Sequence, residues 1–287
     1  MEMCTITVHS SESIIEEILK IYSSIKDLED EEILQDISDH LKNVYQRLDD
    51  LITLPMDDEA AEAILNGHGF DQVLDTITRF RYLYTIRLET EHANTILISN
   101  EPWEMLENYS FYPNYCQLVR TEYQGAGLKA NDTVVFLGSG PLPLTLILMC
   151  HQYGLKGVGI EQDEQRAELS RKVVDKLELS NAIKIIHGNH FQLPLNDRVN
   201  LIMIAAQAQP KTEIVEQLAK ALPAGTKISC RIYEKGLRRL LDRGILVDLP
   251  SKLADEFKEC CRIHPLPPVN NTVVFAVRSS AAAPERH

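Results

Sequence analysis

The sequence predicts an α/β protein, with an N-terminal helical bundle followed by a doubly wound, mostly parallel sheet. Three observations predict it. Apolar residues recur three and four apart through the first third of the chain, with few strand-like alternations. From about Lys129 short β-branched runs alternate with helix-like stretches, the pattern of βαβ units. The first of those runs ends in a Gly-Ser-Gly turn, in VVFLGSGPLPLT at 134–145, as a strand feeding a nucleotide-binding loop does.

The helices come first. Ser13 and Glu16 fit a capping box that opens a helix with Ile14, Ile18, Ile21 and Ile25 on one face. A second helix carries Ile33, Ile37, Leu41, Val44, Leu48 and Leu51 and stops before Pro55. DDEAAEAIL makes a short third, and a long fourth runs from about Asp71 to about Leu97. The strands follow as TVVFL, GVGI, IKII, LIMIA and KISCRI. Two last runs, around FKECCRIHP and NTVVFAV, have no room for a crossover helix between them and are expected to pair as an antiparallel edge hairpin. GLRRLLDR reads as the start of a short amphipathic helix. The domains are expected at 1–125 (helical) and 126–278 (sheet), with a small, polar, disordered tail at 279–287.

The chain has 287 residues, 44% hydrophobic and 25% charged, enough for well-buried cores. A formal charge of -13 argues against a nucleic-acid partner, which needs clustered Lys and Arg. An acidic field suits a cationic ligand, and it equally serves plain solubility. Cys4, Cys116, Cys150, Cys230, Cys260 and Cys261 show no metal-ligand spacing and read as reduced thiols of a cytoplasmic protein. HGNH at 187–190 reads as a loop, because nothing nearby completes a ligand set, so no metal is expected. No run approaches a membrane span or a signal peptide. The expected partners are small molecules, without nucleic acid or membrane; a homodimer stays open.

In a Rossmann-type sheet the ligand lies at the carboxyl ends of the strands. The turn Gly138-Ser139-Gly140-Pro141 would let backbone approach it, and Glu161, 21 residues past Gly140, would accept the ribose hydroxyls. Asn189 and His190 follow the third strand where an adenine edge would be met, and Ala205 ends the fourth. Diphosphate cofactors lean on a third glycine and a free helix N-terminus. Pro143 stands at that position. The turn therefore suits an adenosyl ligand without phosphate, and S-adenosylmethionine is the common one.

On the fourth helix Tyr82, Ile86, Ala93 and Leu97 form an apolar stripe, and Glu89 falls inside it. A carboxylate on a buried face is costly unless paired or used. Glu91 lies four residues after Arg87 and reads as half of a solvated pair on the outer face. Tyr109, Phe111 and Tyr112 offer aromatic faces to a sulfonium, or else pack the fold. Arg231 and Tyr233, ending the fifth strand, could hold an α-carboxylate; Arg231 fits a structural ion pair as well.

FLGSGPLPLT strongly resembles the nicotianamine synthase family, and so do RLETE at 87–91, PWEMLENYSFYPNY at 102–115, RIYEKGLRRLL at 231–241 and PPVNNTVVF at 267–275. The resemblance implies a class I methyltransferase-like sheet domain with the helical domain as a lid and the reaction chamber between them. It also implies transfer of the 3-amino-3-carboxypropyl (aminobutanoyl) group of S-adenosylmethionine, as substrate, to an α-amino group. Methylthioadenosine would leave, and nicotianamine or a related metallophore would form. Leu88-Glu89 stands where the family has its catalytic carboxylate, and Tyr115 where it has its catalytic tyrosine. Close relatives of that chemistry join one aminobutanoyl group to histidine or cyclise S-adenosylmethionine to azetidine-2-carboxylate. An ordinary methyltransferase and a non-enzymatic adenosyl-ligand sensor are the more distant alternatives.

Overall fold

The computed structural model describes residues 10–35, 38–67, 69–193, 198–242 and 256–279. The chain divides into two compact units, Met1–Arg87 with Glu234–Arg243, and Leu88–Tyr233 with Gly244–His287. Residues 88–125, expected with the helical domain, cluster with the sheet. The reason is shared core: Ala93, Ile96, Leu106, Leu118 and Val119 are buried in one cluster with Val134, Phe136 and Phe275.

In the first unit α1 (Ser11–Ile25) buries Ile14, Ile18, Ile21 and Ile25. Its cap is Ser10, whose hydroxyl accepts from Ser13 N at 3.2 Å, so the helix starts one turn before the capping box expected at Ser13 and Glu16. The second expected helix is two: α2 (Asp30–Gln35) and α3 (Asp39–Thr53), with Ser38 at the N-cap of α3 and Ile37 outside the described residues. α4 (Asp58–Leu65) is capped by Asp57, and α5 (Asp71–Ile98) belongs to this unit as far as Arg87 and to the second from Leu88. GLRRLL forms η1, a 3-10 helix over Gly236–Leu241. Asp58 holds its start, accepting from Gly236 N at 2.8 Å and Lys235 Nζ at 2.9 Å.

In the second unit α6 (Pro102–Glu107) and α7 (Tyr112–Ala126) precede the sheet. The strands are β1 (Thr133–Leu137), β2 (Lys156–Glu161), β3 (Ile183–His187), β4 (Leu201–Ile204), β5 (Lys227–Ile232), β6 (Phe257–Ile263) and β7 (Thr272–Arg278). Their order is β3-β2-β1-β4-β5-β7-β6. β1 to β5 pair in parallel, while β7 is antiparallel to both β5 and β6, the edge hairpin expected from the sequence. Crossover helices α8 (Leu144–Tyr153), α9 (Glu164–Lys176) and α10 (Lys211–Ala221) follow β1, β2 and β4. β1 lies centrally and is apolar on both faces, Val134 to Leu137 all being buried. The carboxyl ends of β1, β2 and β4 are therefore neighbours, and that places the site. Ser279 N still bonds Glu256 O at 3.0 Å; the rest of the expected tail, and Cys4, lie outside the described residues. Among the described residues no helix is long and apolar enough to cross a membrane.

Gly125 on α7 tests this packing. A Cβ there would lie 2.5 Å from Phe275 Cζ on β7. Alanine gains about 1 kcal/mol of helix propensity over glycine, whereas overpacking a filled core costs about 1–3 kcal/mol. Gly125→Ala is expected to lower the melting temperature by a few degrees, and calorimetry checks it; a rise would show that Phe275 yields freely.

Candidate active site

The site begins where β1 ends. Gly138 and Gly140 have φ of 78° and 71°, left-handed values that glycine adopts without strain. Gly138 N and Ser139 N both donate to Ile160 O, at 3.0 and 3.1 Å, so the turn is stitched to the end of β2. A Cβ on Gly138 would meet Ala205 Cβ at 3.3 Å and Ala208 Cβ at 3.2 Å, which puts the turn against the end of β4.

Glu161 holds this corner. It is 4% exposed, and its two oxygens are used by different segments. Oε2 accepts from Gly140 N at 3.0 Å; Oε1 accepts from Asp163 N at 3.0 Å and from Arg166 Nη2 at 3.1 Å. Arg166 was not foreseen, although an arginine five residues after the strand-end acid was visible in the sequence. Ser139 Oγ is buried with no hydrogen-bond partner among the described residues.

Glu89 reaches the same turn from α5. Its Oε2 lies 2.7 Å from where a Cβ on Gly140 would stand, so a side chain there would push the carboxylate aside. Tyr115, on the first turn of α7, donates its hydroxyl to Glu89 Oε1 at 3.3 Å, long for a bond of this kind and free to tighten around a substrate. Burial pushes the Glu89 carboxyl up to about 8; the nearby Glu161 charge adds to this, while Tyr115 and Arg166 pull it down. The Tyr115 phenol is pushed well above its usual value by burial and by Glu89, with Arg231 opposing. Glu89 is half-buried, and of its expected stripe only Ala93 is fully buried. A carboxyl of this kind exchanges its proton near neutral pH, and the tyrosine beside it can hand a proton on.

The other expected residues divide. Arg231 is an ion-pair partner: Nε and Nη2 reach Glu122 at 3.1 and 2.6 Å, and Nη2 also reaches Thr145 Oγ1 at 3.0 Å. Its guanidinium lies over the Phe136 ring at 4.9 Å, and Ser229 donates to Glu122 at 3.2 Å. This buried pair is the ion-pair role that the sequence left open for Arg231. Tyr233 is buried and is one of the neighbours that keep the Tyr115 phenol raised. Tyr109 packs between His92 and Phe111, with ring centroids 4.7 and 5.6 Å away, the packing alternative. Burial and the neighbouring Cys116 push Tyr112 up to about 12. Asn189 is exposed and its carboxamide oxygen accepts from Phe191 N at 3.1 Å, so its own turn uses that oxygen. His190 is buried against the Phe191 ring at 4.3 Å, with Glu213 at 3.6 Å. Arg87 is buried over the Tyr84 ring at 5.1 Å, not on the outer face, whereas Glu91 is exposed. Among the described residues no group of three or more His, Cys, Asp and Glu is placed to hold a metal ion.

The family model described as nicotianamine synthase protein matches residues 7–283. The chain belongs to the nicotianamine synthase family. A solved structure of a synthase written MtNAS, a glutamate-to-glutamine variant in complex with S-adenosylmethionine, shares 26% identity and a TM-score of 0.81, covering 93% of this chain and 98% of that one. MtNAS in complex with MTA and tNA gives 26% and 0.77, covering 97% of this chain and 100% of that one. Among curated proteins, an L-histidine 2-aminobutanoyltransferase of Yersinia pestis is 23% identical over 60% of this chain, and one of Pseudomonas aeruginosa 22% over 50%. The chain spans 63% and 54% of the length of these two relatives. The fold of this family member, with its mostly parallel seven-stranded sheet, is that of the MtNAS structures.

The raised Glu89 carboxyl has a consequence for stability. Below the ordinary value of 4.5 the group is protonated folded and unfolded alike; as pH rises toward about 8 the unfolded chain releases the proton and the folded chain keeps it. The folded state is thus progressively disfavoured over that window. Glu89→Gln removes the titration, so its melting temperature relative to the parent is expected to climb from about pH 5 to about pH 8. A constant difference across that range in thermal melts would contradict the raised value.

Proposed function

We propose that this family member transfers the aminobutanoyl group of S-adenosylmethionine to an α-amino group, releasing methylthioadenosine and making nicotianamine or a related metallophore. The observation that carries the reading is the Glu89–Tyr115 pair set against the Gly140 turn, with Glu89 held up to about 8. The ligands of the MtNAS structures, S-adenosylmethionine in one and MTA in another, support it.

The residues present fit an adenosyl ligand. Gly138, exposed, and Gly140, half-buried, offer backbone without side-chain bulk, with Ser139 and Pro141 buried in the same turn and Ala205 against Gly138. Glu161 presents a buried carboxylate for ribose hydroxyls, held from behind by Asp163 N and Arg166. The adenine falls to the Asn189–His190 turn, and Tyr233, Phe111 and Tyr112 remain with the methionine arm and the acceptor. S-adenosylmethionine supplies three carbons activated by one sulfonium. Which of them reacts depends on where the protein holds the amine. Glu89 orients that amine and accepts its proton; Tyr115 hydrogen-bonds the amine and relays the proton. Beside a cationic ligand Glu89 ionises more readily, so the base is prepared when the ligand is in place.

A second reading joins a single aminobutanoyl group to histidine. The names of the Yersinia pestis and Pseudomonas aeruginosa relatives favour it. Small molecules are the ligands in either case. A cytoplasmic location belongs to the same proposal and is supported by the free thiols of Cys116, Cys150 and Cys230.

Mass spectrometry of the protein with S-adenosylmethionine alone, then with histidine, decides between them. Methylthioadenosine with a nicotianamine-mass product is expected; a requirement for histidine selects the second reading, and S-adenosylhomocysteine defeats both. Glu89→Gln is expected to cut turnover by at least about tenfold while adenosyl binding persists. Undiminished turnover would remove Glu89 from the mechanism.

A further inference from the structure

We propose that Arg166 is a positioning residue for this reaction, serving as the shared counter-charge for the two carboxylates, Glu161 and Glu89, that flank Gly140. The inference rests on the functional reading above only for its ligand.

Arg166 sits where a helix disfavours it. Asp163 caps α9, accepting from Arg166 N at 2.9 Å, so Arg166 lies in the first turn, at the positive end of the helix dipole. A cation there is unfavourable unless something else holds it. Its guanidinium turns back toward the strand end, with Nη2 3.1 Å from Glu161 Oε1 and Nε 3.8 Å from Asp163 Oδ1. A planar fork spans two carboxylates in this way and an ammonium does not. The side chain is 18% exposed, beside a Glu161 side chain at 5%.

The need for a cation comes from Gly140. Its N–H binds Glu161 Oε2 at 3.0 Å, and its missing side chain admits Glu89 Oε2 to 2.7 Å from the Cβ position. Two carboxylates thus approach one glycine from two sides, and like charges in a buried place resist ionising together. The groups that act on Glu89 are Tyr115 from α7, Glu161 from β2 and Arg166 from α9. Arg166 alone among these three is a cation, and it draws the Glu89 carboxyl downward. Removing its charge leaves Glu89 facing Glu161 uncompensated and takes away one of the three donors that hold Glu161 beside Gly140.

The test compares the parent with Arg166→Met and Arg166→Lys. NMR of the labelled Glu89 carboxyl gives its titration midpoint, and calorimetry gives the affinity for methylthioadenosine. In Arg166→Met the midpoint is expected to rise by at least about half a pH unit and the affinity to fall by about tenfold or more. Arg166→Lys is expected to restore the midpoint and only part of the affinity, since it keeps charge without the fork. A merely structural arginine would lower the melting temperature and leave the midpoint in place, which overturns the proposal; so does an unchanged midpoint with unchanged affinity. Failure of the parent to bind methylthioadenosine would sink the functional reading instead, and the Glu89 midpoint would still decide the role of Arg166.

Discussion

The Glu161 carboxylate is the constraint on which the site depends. One oxygen takes Gly140 N from the β1 turn, and the other takes Asp163 N at the start of α9, so a single buried group fixes three segments to one another. The parallel sheet makes this contact available, because β1 and β2 are paired throughout and end level, Leu137 beside Ile160. A buried charge held by two amides and one guanidinium is satisfied and therefore rigid. The ribose-binding position expected of Glu161 and the shape of the glycine turn are in this sense one feature.

From that fixed turn the chemistry of Glu89 follows. Gly140 has a positive φ that favours glycine, and a side chain there would displace Glu89, so backbone geometry and acid placement are coupled. Desolvation is the largest effect on Glu89, and it raises the carboxyl into the range where a general base works near neutral pH. Behind Tyr115 the buried pair of Glu122 and Arg231 supplies a further fixed field. Such a pair contributes little net stability compared with apolar packing, so its value lies in holding α7 to β5 and in placing a cation that opposes the upward pull on Tyr115.

Much of this was legible in the sequence, for identifiable reasons. The strands were unambiguous because a parallel sheet covered on both faces needs continuous β-branched runs, which TVVFL and LIMI provide. Glu89 stood out as a carboxyl inside an apolar stripe. The break between α2 and α3 did not, since Ile33, Leu41, Val44 and Leu48 keep helical spacing across it. α6 and α7 were hidden by aromatic and proline-rich composition, although Pro102 and Pro113 sit in first turns, where proline is favoured. The partner of Arg231 could not be read at all. Glu122 is 109 residues away in sequence, and only the pairing of β5 with its neighbours and the packing of α7 bring it near. Local pattern reports on period and caps; which distant charge meets which is decided by topology.

The two prolines after the glycine turn find their explanation in α8. A nucleotide diphosphate binds where a helix N-terminus is open, with amides and dipole aimed at the anion. Here residues 141–150 are buried without exception, Pro143 occupies the N-cap with no side-chain cap, and Leu144 N is spent on Leu142 O at 2.7 Å. The first turn of α8 is therefore sealed into the core and presents no surface to an anion. What stays open at the end of β1 is Gly138, exposed, and Gly140, half-buried, with the carboxylates of Glu161 and Glu89 beside Gly140 and Arg166 bonded to the first of them. An anionic diphosphate thus finds no open helix N-terminus at that turn, whereas a ligand without phosphate needs none. The proline turn and the buried start of α8 are thus one feature, since the rigid turn delivers the chain directly into the core.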